Sequence, residues 1–433
     1  MMYKQPQLLQ QAFDAWLAAA DLRARRDRLK RYTYGDQWCD LTEDHTGHLV
    51  PERDLIARSG KRPLTNNLIR QLVKTLVGRF RASAADSDIY QSPMARRNRL
   101  LELDCRMLEE FIISGCAIQH ITNQQRSAGA GVWVDNVNPN RFFVNHFTDP
   151  RGLDIDFIGM LHDCSEAEII NRFGGNHHRV DQLRRVIAEV DADANLSFAD
   201  SIGATAATAD FFRAAPGRVR VIEIWRLRAV ERTIAGRVTM QVRWHCTFLA
   251  ADGTVLADFP SPYKHQSHPF AINFYPLTDG EVHSFVEDVV DQQRTINRLV
   301  VMIDSMMATS AKGALLFPMK RLPPGWDYKK IGALWARSDS VIPITGNGDL
   351  PQQVITNTAD SGASQLLNLQ LKLFEDVSGI NDALLGRNIS AATGSDLYRQ
   401  QVQNATLALA DLLDTFTSFT IARSDLAASA SAT

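Results

Sequence analysis

The spacing of apolar positions changes several times along the chain, and each change marks an element. Leu9, Phe13, Trp16 and Ala20 recur at intervals of four, three and four, which predicts a helix over residues 7–33 with one apolar face. Thr65 or Asn66 can cap a second helix over about Leu68–Phe80, where Leu68, Leu72, Leu76 and Phe80 repeat every fourth position. A third helix over roughly 95–118 puts Leu100, Leu103, Met107, Phe111 and Ser114 on one face. Residues 165–190 read as helical again, opened by Ser165 with Glu168 three positions later, the spacing of a capping box.

Between these helices the period shortens. Val132, Val134 and the segment Val137–Val144 predict short strands, punctuated by Asn138-Pro139-Asn140 and Asp149-Pro150. Val219, Val221, Glu223, Trp225 and Leu227 alternate with polar neighbours, as do Val238, Met240, Val242, Trp244, Cys246 and Phe248. Ala235-Gly236 and Asp252-Gly253 supply the turns, so an antiparallel meander over 218–259 with one buried face is expected. Residues 191–217 carry nine alanines and little periodicity, and read as a mobile surface segment.

The last third is mostly helical. A helix over about Glu287–Ala311 lines Val289, Ile296, Val300, Ile303 and Met307 along one side, with Arg294, Asn297 and Arg298 elsewhere on it. Its 25 residues reach roughly 38 Å. A stretch with Pro, Gly, Trp326 and Trp335, from Leu315 to Ile355, interrupts before a helix over about Ser364–Val377 with Leu366, Leu369, Leu373 and Val377 in a row. Gly379 is placed to end that helix, and a loop over 381–394 follows. The final helix starts near Ser395, with Tyr398, Val402, Ala405, Leu409, Leu412, Phe416 and Phe419 at alternating spacings of four and three. That seam fits a coiled coil or an ordinary core-facing helix. The small, polar tail Ala427–Thr433 is expected to fray.

Composition narrows the function. The chain has 433 residues, room for roughly three domains and a sizeable core. Lys and Arg number 47 against 49 Asp and Glu, a net charge of −2, which argues against gripping nucleic acid by bulk charge. The five cysteines, Cys39, Cys105, Cys116, Cys164 and Cys246, form no C-x-x-C, so reduced thiols are expected rather than a disulfide framework or a zinc site. The first eleven residues lack an apolar signal region, and the longest aliphatic run, Leu299–Ile303, is far short of a bilayer span. A soluble protein made in the cytoplasm is expected.

Catalytic signatures are missing. Gly60-Lys61 lacks the rest of a phosphate loop, and neither H-E-x-x-H nor G-x-S-x-G occurs. His177-His178 point different ways, and His162 and Cys164 have no partners at metal-ligand spacing. Asp288, Asp291 and Asp304 are the carboxylates a Mg²⁺-dependent nuclease would need, yet they drift around a helix. The arginines of 23–31 and of 79–99 read as solvated faces or as contacts to phosphate or acidic partners. No catalytic residue, metal or cofactor is expected.

Four stretches, in order, resemble the portal proteins of tailed bacteriophages, the head-to-tail connectors, and most of all the short-tailed-phage type. They are Tyr34-Gly35-Asp36-Gln37-Trp38 with Arg62-Pro63-Leu64-Thr65-Asn66-Asn67; the meander with Tyr263-Lys264-His265 and Pro269-Phe270; Val289-Val290-Asp291-Gln292-Gln293-Arg294-Thr295-Ile296-Asn297; and Ser378-Gly379-Ile380 with Leu385-Gly386-Arg387, Gly394-Ser395 and Arg399-Gln400-Gln401. The resemblance implies an α+β, portal-type subunit of a ring, usually a dodecamer, around a DNA channel. Residues 1–285 would form the wing, an α/β body. Residues 286–312 would form the first stem helix, 313–360 the clip, 361–380 the second stem helix, 381–394 an inward tunnel loop and 395–433 a C-terminal wing or crown helix. Few residues follow the loop, so a minimal crown is expected.

The resemblance also implies partners and residues. Arg387 and Asn388 would face DNA in the tunnel loop, Arg294, Asn297 and Arg298 would belong to the stem, and Trp326 and Trp335 would make clip contacts between subunits. Partners would be other copies of the chain, the large terminase subunit, head–tail adaptor or tail proteins, the major capsid protein and non-specifically passing double-stranded DNA, with no membrane. The protein would be assembled in the host cytoplasm and sit at one capsid vertex, serving DNA packaging and ejection. The alternatives are another virion assembly protein, a capsid protein or adaptor, or a metal-dependent nucleic-acid-processing enzyme.

Overall fold

The computed structural model describes residues 3–84, 87–126, 129–193, 206–234, 237–310, 314–335, 341–354, 360–380, 407 and 409–431. The longer helices are α1 (Pro6–Ala18), α2 (Ala20–Thr33), α3 (Leu68–Ala84), α4 (Leu100–Ser114), α5 (Glu166–Phe173), α6 (His177–Asp193), α7 (Ala206–Phe212), α8 (Val290–Ser310), α9 (Asp360–Ser378) and α10 (Ala410–Ser431). The principal strands are β1 (Cys116–Arg126), β2 (Gly129–Asn136), β3 (Phe142–Val144), β4 (Phe157–Cys164), β5 (Val219–Ile234), β6 (Arg237–Ala250), β7 (Val255–Pro260) and β8 (Phe270–Phe274). Helix and strand in one chain make the protein α+β. The chain forms two compact units: a larger one of Met1–Thr33, Arg70–Asp288 and Asp382–Thr433, and a smaller one of Tyr34–Ile69 and Val289–Asn381. Tyr34–Ile69 thus groups with α8 and α9 rather than with the body around it in sequence.

In the larger unit, β3 to β7 pair antiparallel in chain order as a five-stranded sheet, and β8, β1 and β2 form a second sheet. Both faces of the five-stranded sheet are covered, where the alternation suggested one buried face. Ile222, Ile224 and Leu249 meet Leu9, Phe13 and Trp16 of α1 and Phe211 of α7. Val221, Trp225 and Phe248 face Ile118 and Phe270 of the second sheet, with Ile169 of α5 and Leu183 of α6. The intervening positions Ile222 and Ile224 are apolar too, so the strand is suited to burial on both sides.

Several boundaries differ from expectation for local reasons. The first helix breaks at Ala19 into α1 and α2. Arg99, at φ 50°, separates Pro93–Asn98 from α4. Gly115, at φ 71°, stops α4 before position 118; a Cβ there would lie 2.6 Å from the Tyr275 carbonyl oxygen. The Ser165–Glu168 capping box forms with both of its hydrogen bonds.

Two further expectations are corrected. Within 191–217, residues 206–212 form α7, and Phe211 buries its ring 5.3 Å from Phe13 and 5.5 Å from Trp16. Two aromatic side chains tie down what the alanine content made look loose; 194–205 lie outside the described residues. The tail does not fray at Ala427: Ala427 and Ala430 are buried, and the Ala430 carbonyl accepts from Asn123 Nδ2 at 3.1 Å. Small side chains here permit close packing of α10 on β1.

In the smaller unit α8 and α9 pack together, and Val301, Ala363 and Phe374 on them are buried. The chain between them closes with the antiparallel pair Ala314–Leu316 and Gln352–Val354 and carries the helix Tyr328–Trp335.

Candidate assembly surface

The root of α8 is held by side-chain amides. Gln293 Oε1 accepts from the Leu68 N–H at 2.9 Å, and its Nε2 donates to the Asn66 carbonyl at 2.7 Å. Asn297 Oδ1 accepts from the Asn66 N–H at 3.1 Å while its Nδ2 donates to Gln37 Oε1 at 2.6 Å. Gln37 Nε2 in turn donates to Asn67 Oδ1 at 3.0 Å, and Trp38 Nε1 to Thr65 Oγ1 at 3.1 Å. Two stretches distant in sequence, Tyr34–Asn67 and Gln293–Asn297, are therefore halves of one network. Amides suit it, since each carries donor and acceptor and can satisfy free backbone N–H groups at the start of α3.

Charge reinforces the same root. Arg298 Nε donates to Glu52 Oε1 at 2.6 Å, and Arg294 lies 3.4 Å from both Glu52 and Asp40. Asn297 is buried, and Arg294, Asn297 and Arg298, which the resemblance assigned to a stem, all have intrachain partners. Their role on this geometry is to fix the helix.

Further along, the helix pair keeps apolar side chains exposed among the described residues. Leu366, Leu369, Leu373 and Val377, the row that sequence spacing marks as an apolar face, are all exposed on α9, Leu369 by 52%. Met307 of α8 is 61% exposed. The connecting module repeats the pattern: Val341 is 87% exposed and Met319 79%, and Leu350 also faces solvent. Apolar surface this extensive is usually covered by a partner. Trp326 and Trp335 lie in this module, both half-buried. The Lys330 ammonium sits 4.3 Å over the Trp326 ring, and Trp335 Nε1 is buried with no hydrogen-bond partner among the described residues.

A buried polar cluster in the larger unit escaped the sequence reading. Glu223, fully buried, accepts from Trp225 Nε1 at 2.7 Å and lies 2.7 Å from His162 Nε2 and 3.2 Å from His120 Nε2. Burial opposes the Glu223 charge, but the two imidazoles hold its carboxyl well below the usual range. Burial pushes the His162 pKa down despite that carboxylate. The one available signal was a glutamate in the inward register of an apolar strand; the two histidines come from other strands.

The other candidates are placed as follows. Arg23 stacks 3.5 Å over Trp16, and Arg26 forms a two-pronged pair with Glu110 at 2.5 and 2.8 Å, so both buried arginines of α2 serve internal contacts. Arg81 pairs with Glu102, and Arg97 donates to the Ala130 carbonyl at 2.8 Å. Asp291 and Asp304 stand thirteen residues apart on α8, about 20 Å along the axis, too far for one ion. Among the described residues no group of three His, Cys, Asp or Glu could hold a metal, and no helix is long and apolar enough to cross a membrane. Arg387, Asn388 and the rest of 381–394 lie outside the described residues.

Among the described residues, then, a rooted helix pair and the module joining it both leave apolar side chains exposed. The chain belongs to the phage P22-like portal protein family, which it matches over residues 107–425, close to three-quarters of its length. That family is a structural component of phage capsids that assembles as rings. The match takes in three of the four sequence stretches; Tyr34–Asn67 precedes it. No curated protein matches the chain in sequence.

Proposed function

We propose that this chain is the portal subunit of a tailed phage, ringing the channel at one capsid vertex through which double-stranded DNA is packaged and later ejected. Residues 1–285 form the wing, 286–312 and 361–380 the stem helices built on α8 and α9, 313–360 the clip between them, and 395–433 the C-terminal wing or crown helix. The observation that carries this reading is the exposed row Leu366, Leu369, Leu373 and Val377. In a ring, α9 of one copy meets the stem of the next and the row is buried, each leucine, already about half-buried, contributing about 1 kcal/mol.

In this reading the number of copies is twelve, and Trp326 and Trp335 share their surfaces with neighbouring clips. The terminase large subunit and then the head–tail adaptor dock on the ring, the wing meets the major capsid protein, and assembly takes place in the host cytoplasm. The loop 381–394 brings Arg387 and Asn388 to the DNA. Weak, salt-screened contacts of one cation per subunit permit sliding. Near-neutral net charge serves the same end.

The test is packaging in vitro. Capsids assembled with this chain, given terminase, ATP and linear DNA, should protect that DNA from nuclease, and capsids assembled without it should not. Equal protection without the chain would remove the assignment.

A further inference from the structure

The two buried arginines of α2 end differently. Arg26 turns Nε and Nη2, the side edge of its guanidinium, to Glu110, and both carboxylate oxygens accept. Arg23, three residues earlier, is 9% exposed. Its Nη1 donates to the Trp16 carbonyl in the last turn of α1, and its plane stacks 3.5 Å over the Trp16 ring. The same side edge, Nε and Nη2, has no hydrogen-bond partner among the described residues. Burial lowers the Arg23 pKa to about 10 against the opposing fields of Asp210 and Asp27, so the group is still charged at neutral pH. Buried charges are ordinarily paired.

Arg23 lines a cleft of about 780 Å³ bordered by α2, α7 and the turn that precedes β3. That size is ordinary for a small-molecule site. Most charges around the cleft are matched in place. Asp163 is held by Arg141 at 2.6 Å and by Arg220 at 2.8 Å. Arg220 spends its other donors on the carbonyls of Asp210, Phe211 and Arg213. Asp27 lies 3.1 Å from Arg26 and accepts from Asn140 Nδ2 at 3.2 Å. The side chains of Arg213 and Asp210, both exposed on the cleft, form no ion pair among the described residues. With the Arg23 edge, two cations thus face one unmatched carboxylate. Ala20, Ala209, Ala214 and Ala215 make small apolar walls beside them.

These features select a ligand. The side edge of a guanidinium presents two parallel N–H donors, which match two coplanar oxygens. A phosphate also offers such oxygens, but as a dianion it would sit among Asp27, Asp163 and Asp210, and like charges held close in a cleft are a means of rejection. A single negative charge balances the cleft, and the alanine walls leave room for a short apolar body. We infer that this cleft binds a small aliphatic monocarboxylate, with its two oxygens on Nε and Nη2 of Arg23, Arg213 adding a second positive charge at the surface and the alanines receiving the aliphatic part. The inference stands on the larger unit alone and does not rest on the ring reading.

Full-length protein titrated with butyrate, followed by saturation-transfer NMR and calorimetry, tests it. Butyrate should bind saturably with a Kd of about 1 mM or tighter. Arg23→Gln should weaken that binding by about tenfold or more. Ala214→Phe, which fills the cleft and leaves Arg23 in place, should do the same with circular dichroism unchanged, and it decides the matter if Arg23→Gln does not fold. Inorganic phosphate at matched ionic strength should not displace butyrate. Absence of saturable binding overturns the site, and so does binding that Ala214→Phe leaves intact. Displacement by phosphate at equal concentration overturns the preference for a monocarboxylate. If butyrate does not bind and Arg23→Gln and Arg213→Ala instead change the oligomeric state, the edge holds a carboxylate of another protein chain, and the small-acid site is overturned.

Discussion

Arg423 of the last helix meets Asp104 of α4 at 3.1 Å, with neither side chain exposed to solvent. The same carboxylate oxygen accepts from Tyr90 Oη at 2.9 Å, and the other accepts from Gln119 Nε2 at 2.9 Å. Two turns along the same helices, Phe416 packs on Phe111 of α4 and on Phe80 of α3. This links the end of the chain to the middle of the larger unit. A buried pair adds little over a well-packed apolar pair, but removing one partner strands the other charge, at about 3–5 kcal/mol. Arg423→Met is therefore expected to lower the unfolding free energy by about that amount in a urea titration. Combining it with Asp104→Leu removes the stranded charge and should recover part of the loss, the remainder reflecting the acceptor that Tyr90 Oη and Gln119 Nε2 then lack. No difference between the single and double variants would mean the pair is not what ties α10 down.

Acid should loosen the larger unit earlier than carboxylates alone would. His268, wedged against Trp244, has its pKa lowered by burial to about 4, and His162 shifts in the same direction. The folded form thus binds fewer protons than the unfolded form, whose histidines titrate near 6.5. Stability is full above that value and falls as pH drops towards about 4, by roughly 3 kcal/mol for His268. Glu223, depressed in the folded state, adds a further loss below its unfolded value of about 4.3. Thermal midpoints measured from pH 8 to pH 4 should decline from about 6.5, and His268→Gln should flatten the decline. Midpoints independent of pH across that window would contradict the assignment.

The exposed row on α9 separates folding from assembly. Leu369→Asp with Leu373→Asp removes apolar surface that the single chain already exposes, so each substitution should change the stability of the isolated chain by under about 0.5 kcal/mol. Association should be lost. Sedimentation velocity reads both states, and unchanged oligomers would show that the stem helices meet through another face.

Arg387 carries the channel part of the proposal. Arg387→Ala is expected to leave rings intact and to reduce DNA packaged or retained in filled heads. Failure of assembly, with DNA handling normal in whatever rings form, would make Arg387 a structural residue, paired with Asp382 or Asp396.

What the sequence disclosed depended on how far apart the interacting residues lie. The capping box at Ser165 and the turn at Asp252-Gly253 are local, and the strands and helices around them follow. Gln37, Asn66 and Asn297 stood out as motif residues, but only the folded chain shows that they bond to one another. Glu223 was visible as a charge in an apolar register; its histidine neighbours, on β1 and β4, were not. Leu366–Val377 was legible as an apolar face. That no described residue covers it is visible only in the fold.

Electron microscopy of the purified full-length protein tests the central claim most directly. The account predicts closed rings with a central hole, wide enough to pass a DNA duplex and twelve-fold in averaged end views. Monomers or open filaments at every concentration and salt condition examined, or compact particles without a hole, would contradict it.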